Sequence, residues 1–437
     1  MRFITLLGAV LLPLGAAAQP LSLRDAVKLA LDKHPSLQAA AARTKAAGSR
    51  VDQTRGAYHP KLGYTEFVQG SNNPVFAFGT LLNQRRFSQT DFDVNRLNSP
   101  GFIANFQSQA FAEQLIYDFG AARQQTRTAE IGRKMSQEEE TLQSMRQVAA
   151  VARAYYSVQL TREALTVAQS AVKSAEADLE RAEAVRTAGM STDADVLSIR
   201  VHLAATRQQM IARQYDLDVA RAALNDTLGI PLDTDHQLTT PLTVAKTTSE
   251  TVTQRPEQRQ AILQTELAES QRRSARLSLY PQIVARGVFE ANRHKFVTDG
   301  GANWWLGAGL RWNFDTGGSA SRRSEEAAHL AVAAQAAKRQ VDSAVELHVR
   351  QARSAWKSAT ERLAVADAAI AQAEESLRII KNRFEAGLTT VNELLRNETA
   401  LLEARTRRLA AVYDQRLAAV EVELASGRLS GDNDVLN

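Results

Sequence analysis

Residues 188–197 read Ala-Gly-Met-Ser-Thr-Asp-Ala-Asp-Val-Leu, and residues 386–395 read Ala-Gly-Leu-Thr-Thr-Val-Asn-Glu-Leu-Leu. Gly189 and Gly387 therefore mark one position of a repeated unit, 198 residues apart, and the same offset relates Gly120 to Gly318 and Val151 to Val349. Upstream the offset is 221: His34-Pro35 matches Arg255-Pro256, and Tyr58-His59-Pro60 matches Leu279-Tyr280-Pro281. A period this long, filling nearly the whole chain, makes the protein a tandem duplication of one large unit.

Around each glycine the pattern is helical. From Gly120 to Thr187 there is no proline and, after Gly120, only Gly132; from Gly318 to Ala386 neither residue follows Gly318. Sixty-odd helical residues at 1.5 Å each reach roughly 100 Å, so such helices must lie against neighbours. After each hairpin glycine a return helix is expected, over 192–228 and 390–425, with Val196, Ile199, Leu203 and Leu394, Leu395, Leu401, Leu402, Leu409 on its buried edge. These are helical hairpins of coiled-coil character.

Outside the hairpins the period changes to two. Trp304, Leu306, Ala308, Leu310, Trp312 and Phe314 alternate with Asn303, Trp305, Gly307, Gly309, Arg311 and Asn313. The other unit alternates more weakly through Phe102, Ala104, Phe106, Ser108 and Ala110. Strands are expected at about 61–70, 102–117, 282–291 and 303–314, each as long as a tilted membrane strand needs, roughly 9 to 11 residues or more. Trp304, Trp305, Trp312 and Phe102 sit where an interfacial aromatic girdle would place them; an ordinary sandwich core is the alternative reading. Pro60 to Tyr117 exceeds Pro281 to Trp312 by 26 residues, so residues 71–100 read as a long outward-facing loop, with Phe76, Phe78, Leu81 and Leu82 packing on something.

The first repeat is thus expected over 19–229, with its long helix at 120–187, and the second over 255–427, with a helix at 255–279 and its long helix at 318–386. Residues 230–254 link them, and 428–437 read as a frayed tail. Ser22-Leu23-Arg24-Asp25 reads as a capping box opening a short helix that His34-Pro35 ends. Residues 1–18 carry one charge, Arg2, then an apolar run and Gly15-Ala16-Ala17-Ala18, the small-residue pattern that signal peptidase cleaves. No later stretch approaches eighteen apolar residues, and a chain without a spanning helix can enter a membrane only as strands of a closed barrel.

With no cysteine there is neither a disulfide framework nor a thiol for a lipid anchor. The net charge of +5 is spread along helical stretches where Lys/Arg alternate with Asp/Glu, which is a solvated surface and not a nucleic-acid footprint. Catalytic and cofactor motifs fail on inspection. Asp91-x-Asp93-x-Asn95 opens like a calcium loop, but Arg96 stands where glycine is required and Phe102 where the bidentate Glu belongs. Gly307-x-Gly309 lacks its third glycine, Ser170-x-x-Lys173 and Ser354-x-x-Lys357 lie mid-helix without a partner motif, and seven scattered histidines define no metal site. Neither an enzyme nor a cofactor is indicated.

Four strands per chain cannot close a transmembrane barrel, which begins at about eight, so several chains must pool strands. At this point the order of short helices, strand pair, long helix, Gly-centred hairpin and return helix resembles the TolC family of outer-membrane efflux ducts over essentially all of residues 20–427. The helix opening Leu21-Ser22-Leu23-Arg24-Asp25-Ala26-Val27, the passages Tyr117-Asp118-Phe119-Gly120 and Trp312-Asn313-Phe314-Asp315, and the two hairpins carry the likeness. The resemblance implies a mainly α protein with transmembrane β: a homotrimer with a 12-stranded outer-membrane barrel continued by a long α-helical coiled-coil barrel into the periplasm of a Gram-negative bacterium. It implies the exit duct of a tripartite pump, fed by an inner-membrane transporter through a periplasmic adaptor and exporting small molecules or ions. A type I protein-secretion duct and a non-conducting periplasmic coiled coil are the alternatives; alternating aromatic strands argue against the second.

Family members gate at the periplasmic tip with acidic residues after the second hairpin glycine. Counting from Gly387, the first such position is Glu393; the second is Arg396, a departure from a purely acidic aperture, and Asp195 is the equivalent of Glu393 in the first unit. Arg396, three residues on, is expected to pair with Glu393. Gly189, Met190, Ser191 and Thr192, with Gly387, Leu388, Thr389 and Thr390, resemble the tips that the adaptor's own hairpin engages. A glycine C-cap followed by a Ser/Thr N-cap is also how any helical hairpin turns.

Overall fold

The computed structural model describes residues 19–187, 192–245, 251–297, 299–313 and 316–436. The leader 1–18, the tip residues Gly189, Met190 and Ser191, and Phe314 and Asp315 lie outside the described residues. Along the chain come β1 (Gln19–Leu21), α1 (Leu23–Lys33), α2 (Pro35–Arg55), β2 (Lys61–Ser71), α3 (Pro74–Asn83), α4 (Val94–Asn98), β3 (Ile103–Tyr117) and α5 (Ala121–Thr187). Then follow α6 (Asp193–Leu228), β4 (His236–Leu238), α7 (Pro256–Leu277), β5 (Gln282–Arg293), β6 (Gly300–Arg311), α8 (Ser319–Glu385) and α9 (Val391–Ala425). The strand expected at 303–314 lies three residues earlier, because the β5–β6 turn is shorter than the sequence suggested. The chain forms two compact units. Among the described residues, one comprises those from 19 to 42, from 137 to 260 and from 339 to 436, the other those from 43 to 136 and from 261 to 338.

In the second of these units β2, β3, β5 and β6 form one antiparallel sheet in that order. Among the described residues, β2 and β6 each leave one edge unpaired. The strand-to-helix passage after β3 is capped by Asp118, whose carboxylate accepts from Gly120 N at 3.0 Å and Ala122 N at 2.6 Å. That satisfies donors at the start of α5 which no helical carbonyl can reach. The segment 71–100 is not a bare loop: α3, a 3₁₀ turn at Gln89–Phe92 and α4 fill it. Asn73 and Asp93 cap the two helices, and Phe78, Phe87 and Phe92 stack edge to face at 5.0 Å.

The other unit is helical around one main core. Leu23, Val27 and Ala30 of α1 pack with Val151, Ala152, Tyr155 and Tyr156 of α5, Leu224 and Leu228 of α6, and Val420 of α9. Ser22 caps α1, accepting from Asp25 N at 3.1 Å. β1 pairs in parallel with β4, so the linker is tied to the start of the chain, and Tyr155 fastens both: its hydroxyl donates to Leu21 O at 2.8 Å and accepts from Thr240 N at 2.9 Å. The tail is not frayed as its polarity suggested. Leu429 and Leu436 are buried against this core, and Arg428 clasps Glu423 at 2.7 Å. Two leucines at a spacing of seven cover the α1 face that would otherwise meet water.

Candidate functional site

The sheet has two unlike faces, and its register shows why. Leu62, Tyr64 and Val68 of β2, Phe106 and Ala110 of β3, Phe289 of β5, and Trp304, Leu306 and Leu310 of β6 share one face. Leu62 is 80% and Leu306 76% exposed in the single chain, an apolar surface no part of this unit covers. The opposite face is polar: Asn105 donates to Asn292 at 2.7 Å, Gln107 to Glu290 at 3.0 Å, and Arg286 stands over the Phe111 ring at 5.1 Å. Glu66, Ser108 and Arg293 interrupt the apolar face and satisfy one another there, Arg293 pairing with Glu66 at 2.9 Å; over the rest of the sheet the contrast between an apolar and a polar face is what a barrel with lipid outside and water inside requires.

The four residues assigned to an aromatic girdle do not all share a face. Trp304 belongs to the apolar face, and Phe102 lies over Gly70 on that same face, where any Cβ would collide with the ring. Trp312 follows β6 with the same parity, donating its indole N–H to Leu279 O at 3.0 Å. Eight residues at about 3.3 Å separate Trp304 from Trp312, roughly 26 Å and close to the height of an apolar barrel band. Trp305 corrects the assignment: adjacent strand residues point to opposite faces, so it stands on the polar side opposite Val288. Sequence reading missed the companions of Trp312, namely Tyr117, Phe119 and Tyr280, whose rings lie 4.8 and 5.1 Å apart in series. Their position at strand ends beside helix starts was the available signal.

The segment after β2 folds onto the polar face. Gln84, 2% exposed, donates to Ala104 O at 2.8 Å, Asn105 Oδ1 at 3.1 Å and Arg293 O at 3.2 Å, and Arg85 reaches Ala302 O at 3.4 Å. α3 is thereby held at the loop end of the sheet.

At the tip of the second hairpin, Gly387 has φ +72°, a left-handed conformation that a Cβ penalises, and α8 closes there, with Gly387 N–H donating to Phe384 O at 3.0 Å and Leu388 N–H to Arg383 O at 2.8 Å. Thr390 then caps α9, accepting from Glu393 N at 3.4 Å, and Leu388 between them is 68% exposed. Glu393 does not pair with Arg396: among the described residues no ion pair joins them, and the Glu393 carboxylate instead accepts from the Thr389 hydroxyl. A first-turn carboxylate finds the nearby hydroxyl at lower entropic cost than an extended Arg side chain. Asp195 is likewise engaged at its own helix start, accepting from Thr192 N at 3.2 Å and Thr192 Oγ1 at 2.7 Å. Beneath the tips Ala182, Val196, Ile199 and Val391 form a small apolar cluster shared by both hairpins.

Further along the hairpins lies a polar cluster that the sequence reading overlooked. Asp178 of α5 is buried beside Glu398 of α9, and two cations approach the Asp178 carboxylate, Arg181 at 3.4 Å and Lys381 of α8 at 3.7 Å. Glu398 accepts from Ser174 Oγ at 3.2 Å and faces His202 Nε2 of α6 at 3.5 Å. Burial, then the neighbouring Asp178, pushes the Glu398 carboxyl up to about 8, and burial holds His202 below the usual imidazole value. The signal was present: Asp178 occupies the helical stripe of Ala175 and Ala182, a charge at a buried position.

Comparison with known proteins matches this geometry. No curated protein is similar enough in sequence to match. The fold resembles that of the CmeC outer membrane channel of Campylobacter jejuni, at 15% identity and a TM-score of 0.79 over 94% of this chain and 87% of that one. It also resembles the open state of the MtrE outer membrane channel of Neisseria gonorrhoeae, at 19% identity and 0.77 over 94% and 90%. The outer membrane protein VceC of Vibrio cholerae matches at 18% and 0.75 over 93% and 96%. Residues 26–230 and 248–428, nearly all of both repeats, match the outer membrane efflux protein family, and the chain belongs to that family.

Proposed function

We propose that three copies of this chain form the exit duct of a tripartite pump, a passive conduit through the outer membrane for small molecules or ions. The observation that carries this reading is the four-stranded sheet with an apolar face, a polar face and two unpaired edges. An open edge in lipid leaves backbone groups without partners at several kcal/mol each, and edge-to-edge union of three sheets gives a closed barrel of twelve strands. The polar face then lines water, and α3, bonded to that face, lies at the mouth. The hairpin tips face the periplasm, where an adaptor's helices engage Leu388, Thr389 and Thr390 together with Thr192 and its neighbours Gly189, Met190 and Ser191. Three copies each of Glu393, Asp195 and Arg396 surround the aperture there. A transporter in the inner membrane supplies the cargo and the energy.

Reconstitution of the purified chain in planar bilayers tests the reading. Discrete single-channel currents support it, and a folded preparation that inserts without conducting would overturn it.

A further inference from the structure

We propose that Asp178 and Glu398 form a buried binding site for one exchangeable proton, which ties the first helical hairpin to the second. The assignment concerns a single chain and stands whether or not three chains form a duct.

The geometry calls for a proton. Asp178 Oδ2 is buried with no hydrogen-bond donor among the described residues. Its other oxygen already receives Arg181 and Lys381. The group facing the bare oxygen's carboxyl is Glu398, an acceptor when ionised and a donor only when protonated. A proton on Glu398 therefore satisfies Asp178 and removes one of two like charges from the interior. The remaining surroundings agree with a neutral Glu398: Ser174 donates to it, and His202, held neutral by burial, balances no second negative charge.

The charged and titratable groups around the pair are few. α5 contributes Arg181, α6 His202, α8 Lys381 and, beyond Arg181 at 3.3 Å, Glu385; α9 contributes Arg405, which is occupied by Glu374 at 2.9 Å. A cavity of about 70 Å³ lined by Ser174, His202, Thr206 and Glu398 opens beside the pair, large enough for water to carry the proton in and out.

The site is not a by-product of the duplication. The positions equivalent to Asp178 and Glu398 in the other repeat are Ser376 and Arg200, and these turn elsewhere, Ser376 to Asn397 at 2.8 Å and Arg200 to Glu183 at 2.7 Å. Among the described residues the proton site thus has no counterpart in the other repeat, and it joins the hairpins nearer their tips than the main core that Val420 of α9 shares with α5 and α6. Loss of the proton leaves two buried carboxylates in opposition and favours separation of the hairpins near their tips.

The chain has no cysteine, so a pair introduced by Ala194→Cys and Asn392→Cys can be spin-labelled uniquely on exposed positions of α6 and α9. The full chain in detergent is titrated from about pH 6 to about pH 10, bracketing the buried acid's range, while electron–electron resonance reads the shortest label distance. Infrared spectroscopy follows the protonated-carboxyl band in parallel. The distance is expected to lengthen as the band disappears, Glu398→Gln to keep the short distance at every pH and to lack the titrating band, and His202→Gln to leave the transition in place. No protonated carboxyl at neutral pH, an invariant distance, or an unchanged transition in Glu398→Gln would overturn the assignment. Should Glu398→Gln fail to fold, the infrared titration of the parent decides alone.

Discussion

Arg405 on α9 holds Glu374 on α8 at 2.9 Å, and the same contact stands 198 residues earlier, where Arg207 on α6 holds Glu176 on α5 at 2.7 Å. The two hairpins thus retain an inherited clasp between outgoing and returning helices. All four side chains are about half exposed, so each pair contributes less than about 1 kcal/mol. Arg207→Ala and Arg405→Ala should each lower thermal stability slightly and leave conductance unchanged. A loss of folding in either variant, followed by circular dichroism, would contradict this ranking.

Assembly rests on the edges of the sheet. The mature chain in detergent should run as a trimer in light scattering, because separating protomers would expose the β2 and β6 edges of every copy. A monodisperse folded monomer would refute twelve-strand closure.

At the tip, Gly387 and Leu388 separate folding from docking. Gly387→Ala places a Cβ at positive φ and should cost roughly 1–2 kcal/mol. Leu388→Asp alters only an exposed side chain and should leave outer-membrane levels normal while abolishing export. Full export by the Leu388 variant would remove this tip from the docking surface.

The aperture prediction follows from charges that do not neutralise each other. Glu393 is held by Thr389 and not by Arg396, so in the proposed aperture the two charges are expected to act on ions separately. Glu393→Gln should reduce cation preference in planar bilayers, and Arg396→Ala should increase it. Unchanged selectivity in both would place the constriction elsewhere.

The pH dependence of stability has a defined sign. Glu398 is an acid whose folded value is raised from 4.5 to about 8, so the folded state binds the proton more tightly than the unfolded chain. The stability it contributes is fully present below about 4.5 and is lost progressively as pH rises toward about 8. Glu398→Gln should flatten that decline in thermal unfolding curves. An equal slope in parent and variant would assign the decline to other groups.

The sequence alone determined the long helices and the strand segments of the two repeats, though not α3 and α4 within residues 71–100. The 198-residue offset, the absence of proline across α5 and α8, and the alternation through Trp304 to Trp312 are local patterns, and helices and strands are chosen locally. The tertiary structure decided which groups meet. Trp305 parted from Trp304 because only a paired register assigns faces, and Leu429 and Leu436 proved to be core because only the folded α1 supplies the surface they cover. Asp178 and Glu398, 220 residues apart in different repeats, found each other for the same reason. A charge on an apolar stripe can be read from the chain, but the partner that determines whether it holds a proton comes from another helix, and spacing along one helix carries no information about it.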